Sequence, residues 1–197
     1  MNETKWTENV IVVDADYADR VTFDFTVNFE RMLERRIPQA DIARWVECLA
    51  LDSGLRPGNN SVHVILIHDR ERESMHNFCP GSFATELNGQ AFSGQLGEFT
   101  FSSITTEGMA TKVSLFTDTL ELLCQQPDIK RLMVVPGDDM LAEVQRVLAR
   151  QDGDSHRHTT LFAMQPPAGR TFFSEQLGYS LMAALGISSR EIDGKIG

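Results

Sequence analysis

Apolar residues cluster along this chain in short runs bounded by polar or turn-forming residues, and five of these runs read as strands: 9–14, 62–68, 98–104, 131–136 and 159–164. Val10-Ile11-Val12-Val13 and Leu132-Met133-Val134-Val135 are continuously apolar rather than alternating. That is the signature of strands covered on both faces. Helical stretches separate the runs, which predicts a single-domain α/β fold with a mostly parallel five-stranded sheet and helices on both faces.

After the first strand, Val21, Phe25, Phe29, Met32, Leu33 and Ile37 fall at helical spacing, whereas Val21, Phe23, Phe25, Val27 and Phe29 also alternate as a strand would. The helix is preferred, because the pattern runs on through Arg36 to a stop at Pro38. A second helix starts near Asp41, gathers Ile42, Trp45, Val46 and Leu49 on one face and stops at Gly54. Further helices are predicted over 108–126, 140–150 and 174–185. Residues 1–187 thus form one α/β domain, and 188–197 is expected to fray. Residues 70–97 interrupt the alternation with Pro80-Gly81, Asn88-Gly89, Gly94 and Gly97 among apolar anchors. Such a loop-rich insertion is either an interaction surface or a cover for one sheet edge. His156 and His158 lie beside Asp152 and Asp154 in a polar connector whose simplest reading is a solvated loop.

At 197 residues the chain is long enough to bury a core without disulfides or a structural metal. Cys48, Cys79 and Cys124 are odd in number and lack metal-ligand spacing, the pattern of free thiols in a reducing compartment. No apolar run approaches a membrane span, and the polar start of the sequence lacks a signal peptide's apolar core. Cytoplasmic localisation is the expectation. The formal net charge of −10, from 18 Lys plus Arg against 28 Asp plus Glu, argues against tight nucleic-acid binding.

The chemistry on offer is acidic. The first run ends in Asp14-Ala15-Asp16 and the fourth in Gly137-Asp138-Asp139, and ligands of open α/β sheets bind outside the carboxyl ends of the strands. If those strands are neighbours, Asp14, Asp16, Asp138 and Asp139 converge, with Asp118 on the helix after the third strand as a further candidate. Such oxygen ligands suit Mg²⁺ or Mn²⁺. The same aspartates also suit helix caps, Asp16 or Asp19 after the first strand and Asp138 or Asp139 before Met140. On the residues alone both readings stay open. The chain has no Walker loop, no G-x-G-x-x-G and no G-x-S-x-G.

Val12-Val13-Asp14-Ala15-Asp16-Tyr17, Lys112-Val113-Ser114-Leu115-Phe116-Thr117-Asp118 and Val134-Val135-Pro136-Gly137-Asp138 resemble the three motifs of the NYN group of PIN-like nucleases. The pattern is also similar to that of a bacterial family of uncharacterised proteins. The nuclease resemblance implies a sheet of order 3-2-1-4-5 and Mg²⁺- or Mn²⁺-dependent ribonuclease activity on weakly and transiently bound RNA. It also implies Asp14, Asp118 and Asp138 as catalytic residues, with Asp16 and Asp139 as further metal ligands. Two departures stand out. Lys112 occupies a place where the group carries an aspartate, and Gly137-Asp138-Asp139 replaces Gly-Asp-x-Asp. An ammonium inside the cluster takes a cation's place, so the alternative is a non-catalytic module that meets a protein partner, or a second copy, through the aromatic-rich segment 78–101.

Overall fold

The computed structural model describes residues 5–151 and 156–196. Five parallel strands form the centre: β1 (Asn9–Asp14), β3 (Asn60–His68), β6 (Gly97–Thr105), β7 (Arg131–Val135) and β8 (His158–Ala163). They lie in the order β6-β3-β1-β7-β8, which is the 3-2-1-4-5 arrangement. The sheet has seven strands rather than five. The short edge strands β5 (Ala91–Gly94), antiparallel to β6, and β9 (Phe173–Gln176), parallel to β8, extend it. Both edge strands are largely exposed, so their own residues carry little pattern.

Strand alternation assigns side chains to two cores. Ile11 and Val13 of β1, Val64 and Leu66 of β3, and Met133 and Val135 of β7 face α1 (Ala15–Leu33), α2 (Ile42–Asp52) and α5 (Leu177–Ala184). Val10, Val12, Ile65, Ile67, Leu132 and Val134 face α3 (Lys112–Cys124) and α4 (Leu141–Ala149). Burial on both sides explains why these runs are apolar throughout.

In α1 the helical period prevails over the strand period, and Phe25 stacks on Phe29 one turn later at 5.6 Å. The helix ends at Leu33, short of the expected Arg36, because Glu34 turns into the left-handed region at φ 54°. α2 starts as expected, with Asp41 capping Arg44 N–H. Gly54, at φ 90°, adopts a conformation favoured by glycine just past its end. The helix expected over 174–185 is shorter, since its first residues pair with β8 as β9 and satisfy that strand's open edge. The tail expected to fray is helical: α6 (Ser189–Ile196) is tied to the end of α1 by Arg35–Glu191 at 2.8 Å and Lys195–Glu34 at 3.0 Å.

The insertion 70–97 covers a sheet edge. Ala40 and Asp41, named β2, pair with Phe78 and Cys79, named β4, and residues Phe83–Leu87 form one wide helical turn. Phe78, Phe83, Leu87 and Leu96 are buried, and Phe92 stacks on Phe99 at 4.9 Å. The aromatic side chains of 78–101 therefore point mainly into the core. Large exposed apolar side chains lie elsewhere, with Phe23 and Val27 on α1, Phe173 on β9 and Tyr179 on α5. Among the described residues no helix is long and apolar enough to cross a membrane. Cys48, Cys79 and Cys124 are free.

Candidate functional site

Register builds the site. Asp14 pairs with Ile67 of β3 and Val13 with Val135 of β7, so Asp14, Asp69 and the Gly137-Asp138 turn emerge at one edge. Successive strands run outward one way through β3 and β6 and the other way through β7 and β8. The edge between β1 and β7 is thus the switch point, where open α/β sheets place their ligands.

Asp14 ends β1 and caps α1, its Oδ1 accepting the Tyr17 N–H at 3.1 Å. A lysine, rather than a second acid, meets it there. Lys112, the first residue of α3, places Nζ 3.2 Å from Asp14 Oδ1, 3.2 Å from Asp16 Oδ2 and 3.7 Å from Asp69 Oδ2. Thr111 holds the start of α3 by accepting the Ser114 N–H. Asp16 also accepts the Asp69 N–H at 2.7 Å, which fastens the end of β3 to the first turn of α1.

Burial pulls the Lys112 ammonium down, but Asp14, Asp16 and Asp69 outweigh it and the net shift is upward, so the lysine stays charged. Burial pushes the Asp14 carboxyl up, with Lys112 and the Tyr17 N–H opposing. Asp14 Oδ2 is buried and has no hydrogen-bond partner among the described residues. It faces Gly137, where a Cβ would lie 2.6 Å from Asp14 Oδ2 and 2.8 Å from Asp139 Oδ1. The Tyr17 hydroxyl donates to Asp138 Oδ1 at 2.8 Å, and burial followed by this bond raises the phenol well above its ordinary value.

The structure therefore brings Asp14 and Asp16 together through Lys112, and brings Asp138 and Asp139 to the neighbouring turn. It does not bring in Asp118. That residue is exposed, and its carboxylate forms no ion pair among the described residues. Six positions past Lys112, it is rotated by roughly 240° around α3. The capping alternatives also need correction. Asp14 caps α1, Asp19 instead accepts Asn77 N–H at 2.8 Å, and neither Asp138 nor Asp139 caps α4, whose cap position is Met140. Asp152 and Asp154 of the histidine connector lie outside the described residues, and His158 stacks on Phe173 at 4.4 Å.

Asp69 and Tyr17 were not among the residues singled out from sequence. Asp69 had a signal, since Ile67-His68-Asp69 is a third apolar run reaching an aspartate. Tyr17 had none, because its bond to Asp138 spans 121 positions.

A divalent cation does not fit the centre of this cluster. The ammonium occupies the point on which Asp14, Asp16 and Asp69 converge, and among the described residues no group of three or more His, Cys, Asp or Glu is arranged to hold a metal. No curated protein and no solved structure matches the chain. Residues 3–192 match the family of unknown function DUF6621, and the chain belongs to that family.

Proposed function

We propose that this protein is a PIN/NYN-like domain whose acidic centre is closed by a lysine, and that it works as a non-catalytic binding module rather than as a metal-dependent ribonuclease. The observation that carries this reading is the Lys112 ammonium, 3.2 Å from both Asp14 and Asp16. A fixed monovalent cation neutralises the acids, but it brings no bound water to activate, which is what a hydrolytic metal supplies. The strand order and the strand-end aspartates support the PIN/NYN-like relationship.

One observation favours residual metal-dependent ribonuclease activity instead. Among the described residues Asp14 Oδ2 is buried without a partner, and Asp139 Oδ1 faces the same hollow at Gly137. Calorimetric titration with Mn²⁺, combined with cleavage of labelled single-stranded RNA, separates the two. The expected result is no Mn²⁺ binding and no cleavage by the wild type, with Mn²⁺ binding gained in Lys112→Asp. Mn²⁺-dependent cleavage by the wild type that disappears in Asp14→Asn overturns the non-catalytic reading.

A further inference from the structure

Next to the lysine-centred cluster, a cleft of ≈ 510 Å³ opens between the turn after β3 and the loop before α3. Asp69, Arg70, Glu71, Arg72, Thr106 and Gly108 line it. This volume is that of a small-molecule site, but the lining is unusual for one. Among the described residues the lining holds no aromatic ring and no large aliphatic side chain on which a nucleobase could stack.

The charges in the cleft are not equivalent. Asp69 turns its carboxylate toward Lys112, and its N–H is held by Asp16. Arg70 and Arg72 are exposed and form no ion pair among the described residues. The Arg72 N–H donates to Asp69 O at 2.9 Å, which closes the turn that carries both arginines. The turn carries Asp69, Glu71 and Glu73 beside the two arginines, yet among the described residues neither guanidinium is paired with a carboxylate. Guanidinium forks suit the oxygens of a phosphate, with which they form two parallel bonds. Glu71 and Thr106 offer acceptors, and Thr106 a donor, for hydroxyl groups.

We propose that this cleft binds a small polyhydroxylated phosphomonoester, with the phosphate held by Arg70 and Arg72 and the hydroxyls by Glu71 and Thr106. The proposal goes beyond the reading of the acidic centre and does not depend on it, because neither arginine touches Asp14, Asp16 or Lys112. Calorimetry at about 50 mM ionic strength, where surface charges are only partly screened, tests it with inorganic phosphate, glucose, glucose 6-phosphate and adenosine monophosphate as probes. The expected result is that glucose 6-phosphate binds more tightly than inorganic phosphate and glucose alone does not bind.

In the Arg70→Gln/Arg72→Gln double variant, glucose 6-phosphate affinity should fall at least about tenfold, as for lost charge-assisted bonds, with an unchanged melting temperature in the absence of ligand. Thr106→Val should weaken glucose 6-phosphate and leave inorganic phosphate unaffected. No binding of glucose 6-phosphate up to roughly 10 mM, that is, a binding free energy weaker than about −2.7 kcal/mol, overturns the proposal. So does binding that is unchanged in the double variant, or arginine-dependent binding that prefers adenosine monophosphate to glucose 6-phosphate. Lys112→Asp and Mn²⁺ play no part in these readouts, so failure here leaves the reading of the acidic centre to its own experiment.

Discussion

Lys112 Nζ lies 3.2 Å from Asp14 Oδ1 and so joins the first residue of α3 to the last residue of β1 across the carboxyl edge of the sheet. The Asp14 side chain is only 1% exposed, so its charge has little water to fall back on. Removing one partner of a buried pair leaves the other uncompensated. Lys112→Met is therefore expected to destabilise the fold by about 3 kcal/mol, read as a shift in urea denaturation at neutral pH. Asp69→Asn, at a carboxylate 53% exposed and 3.7 Å away, should cost less than about 1 kcal/mol. Equal losses in the two variants would show that Lys112 is not the counterion Asp14 depends on.

The same edge carries an alkaline liability. Lys112 and Tyr17 both hold their protons more tightly in the fold than their ordinary values of 10.5 and 10.0. For each group the folded state keeps a proton that the unfolded chain gives up, so the stabilisation is complete below about pH 10 and falls as pH rises beyond it. Tyr17→Phe removes one of the two groups and the bond to Asp138. It should cost about 1 kcal/mol at pH 7 and lose less stability than the wild type between pH 9 and 11. Melting curves of both proteins across that range check this, and parallel losses would refute it.

Four of the five central strands were legible because they are buried on both faces and advertise this in their own residues, and β6 because its buried Phe99 and Phe101 alternate with polar residues. β5 and β9 were not, since they are short and exposed and owe their conformation to the neighbouring strand's free edge. The helix in the tail was not legible for a related reason. α6 has no fully buried residue and is held by Ile192 against the core and by ion pairs to Arg35 and Glu34, more than 150 positions away. At the site, strand-end aspartates could be located from sequence because a strand's end fixes where its last side chain emerges. Asp118 was a motif match, and its position on the helix turns it away from Lys112. The departure at Lys112 marked the place where acidic chemistry is interrupted.

Gly137 supplies a steric test of the hollow beside Asp14. A methyl group there meets Asp14 Oδ2 at 2.6 Å and Asp139 Oδ1 at 2.8 Å. Asp139 is exposed and can swing away, whereas Asp14 is pinned by Lys112 and the Tyr17 N–H. Gly137→Ala is expected to cost about 1–3 kcal/mol, the range for overpacking. A ΔΔG within about 0.5 kcal/mol of zero, the range of an ordinary surface change, would mean that the turn yields and the hollow is not rigid.

Acid should release α6 before the core unfolds. Glu191 accepts from Arg35 and from the Ser188 N–H, first the arginine and then the backbone bond holding its carboxyl down at about 2. Its stabilising contribution is present above the ordinary carboxyl value of 4.5 and is lost as pH falls toward about 2. The protection factors of the amides of residues 189–196, corrected for the intrinsic pH dependence of exchange, should therefore fall across that window. Glu191→Gln should show the lower protection already at pH 7, and equal protection in the two proteins at pH 7 would rule out this latch.

His68 makes the fold acid-sensitive at a milder pH. It ends β3 with 5% exposure and its ring stacked on Phe83 at 3.6 Å. Nδ1 lies 3.0 Å from the Asp69 carbonyl and so carries the proton, while Nε2 is buried without a hydrogen-bond partner among the described residues. Burial lowers its pKa, so on acidification the unfolded chain takes up the proton first. Stability is then full above the ordinary value of 6.5 and declines as pH falls below it. His68→Phe keeps a ring against Phe83 and removes the titrating nitrogen. His63 and His158 are lowered by burial in the same direction, so some acid slope should remain. Urea denaturation at pH 7.5 and 5.5 should show a smaller stability difference for His68→Phe than for the wild type. The same difference in both proteins would mean that His68 takes up its proton in the folded state as readily as in the unfolded chain.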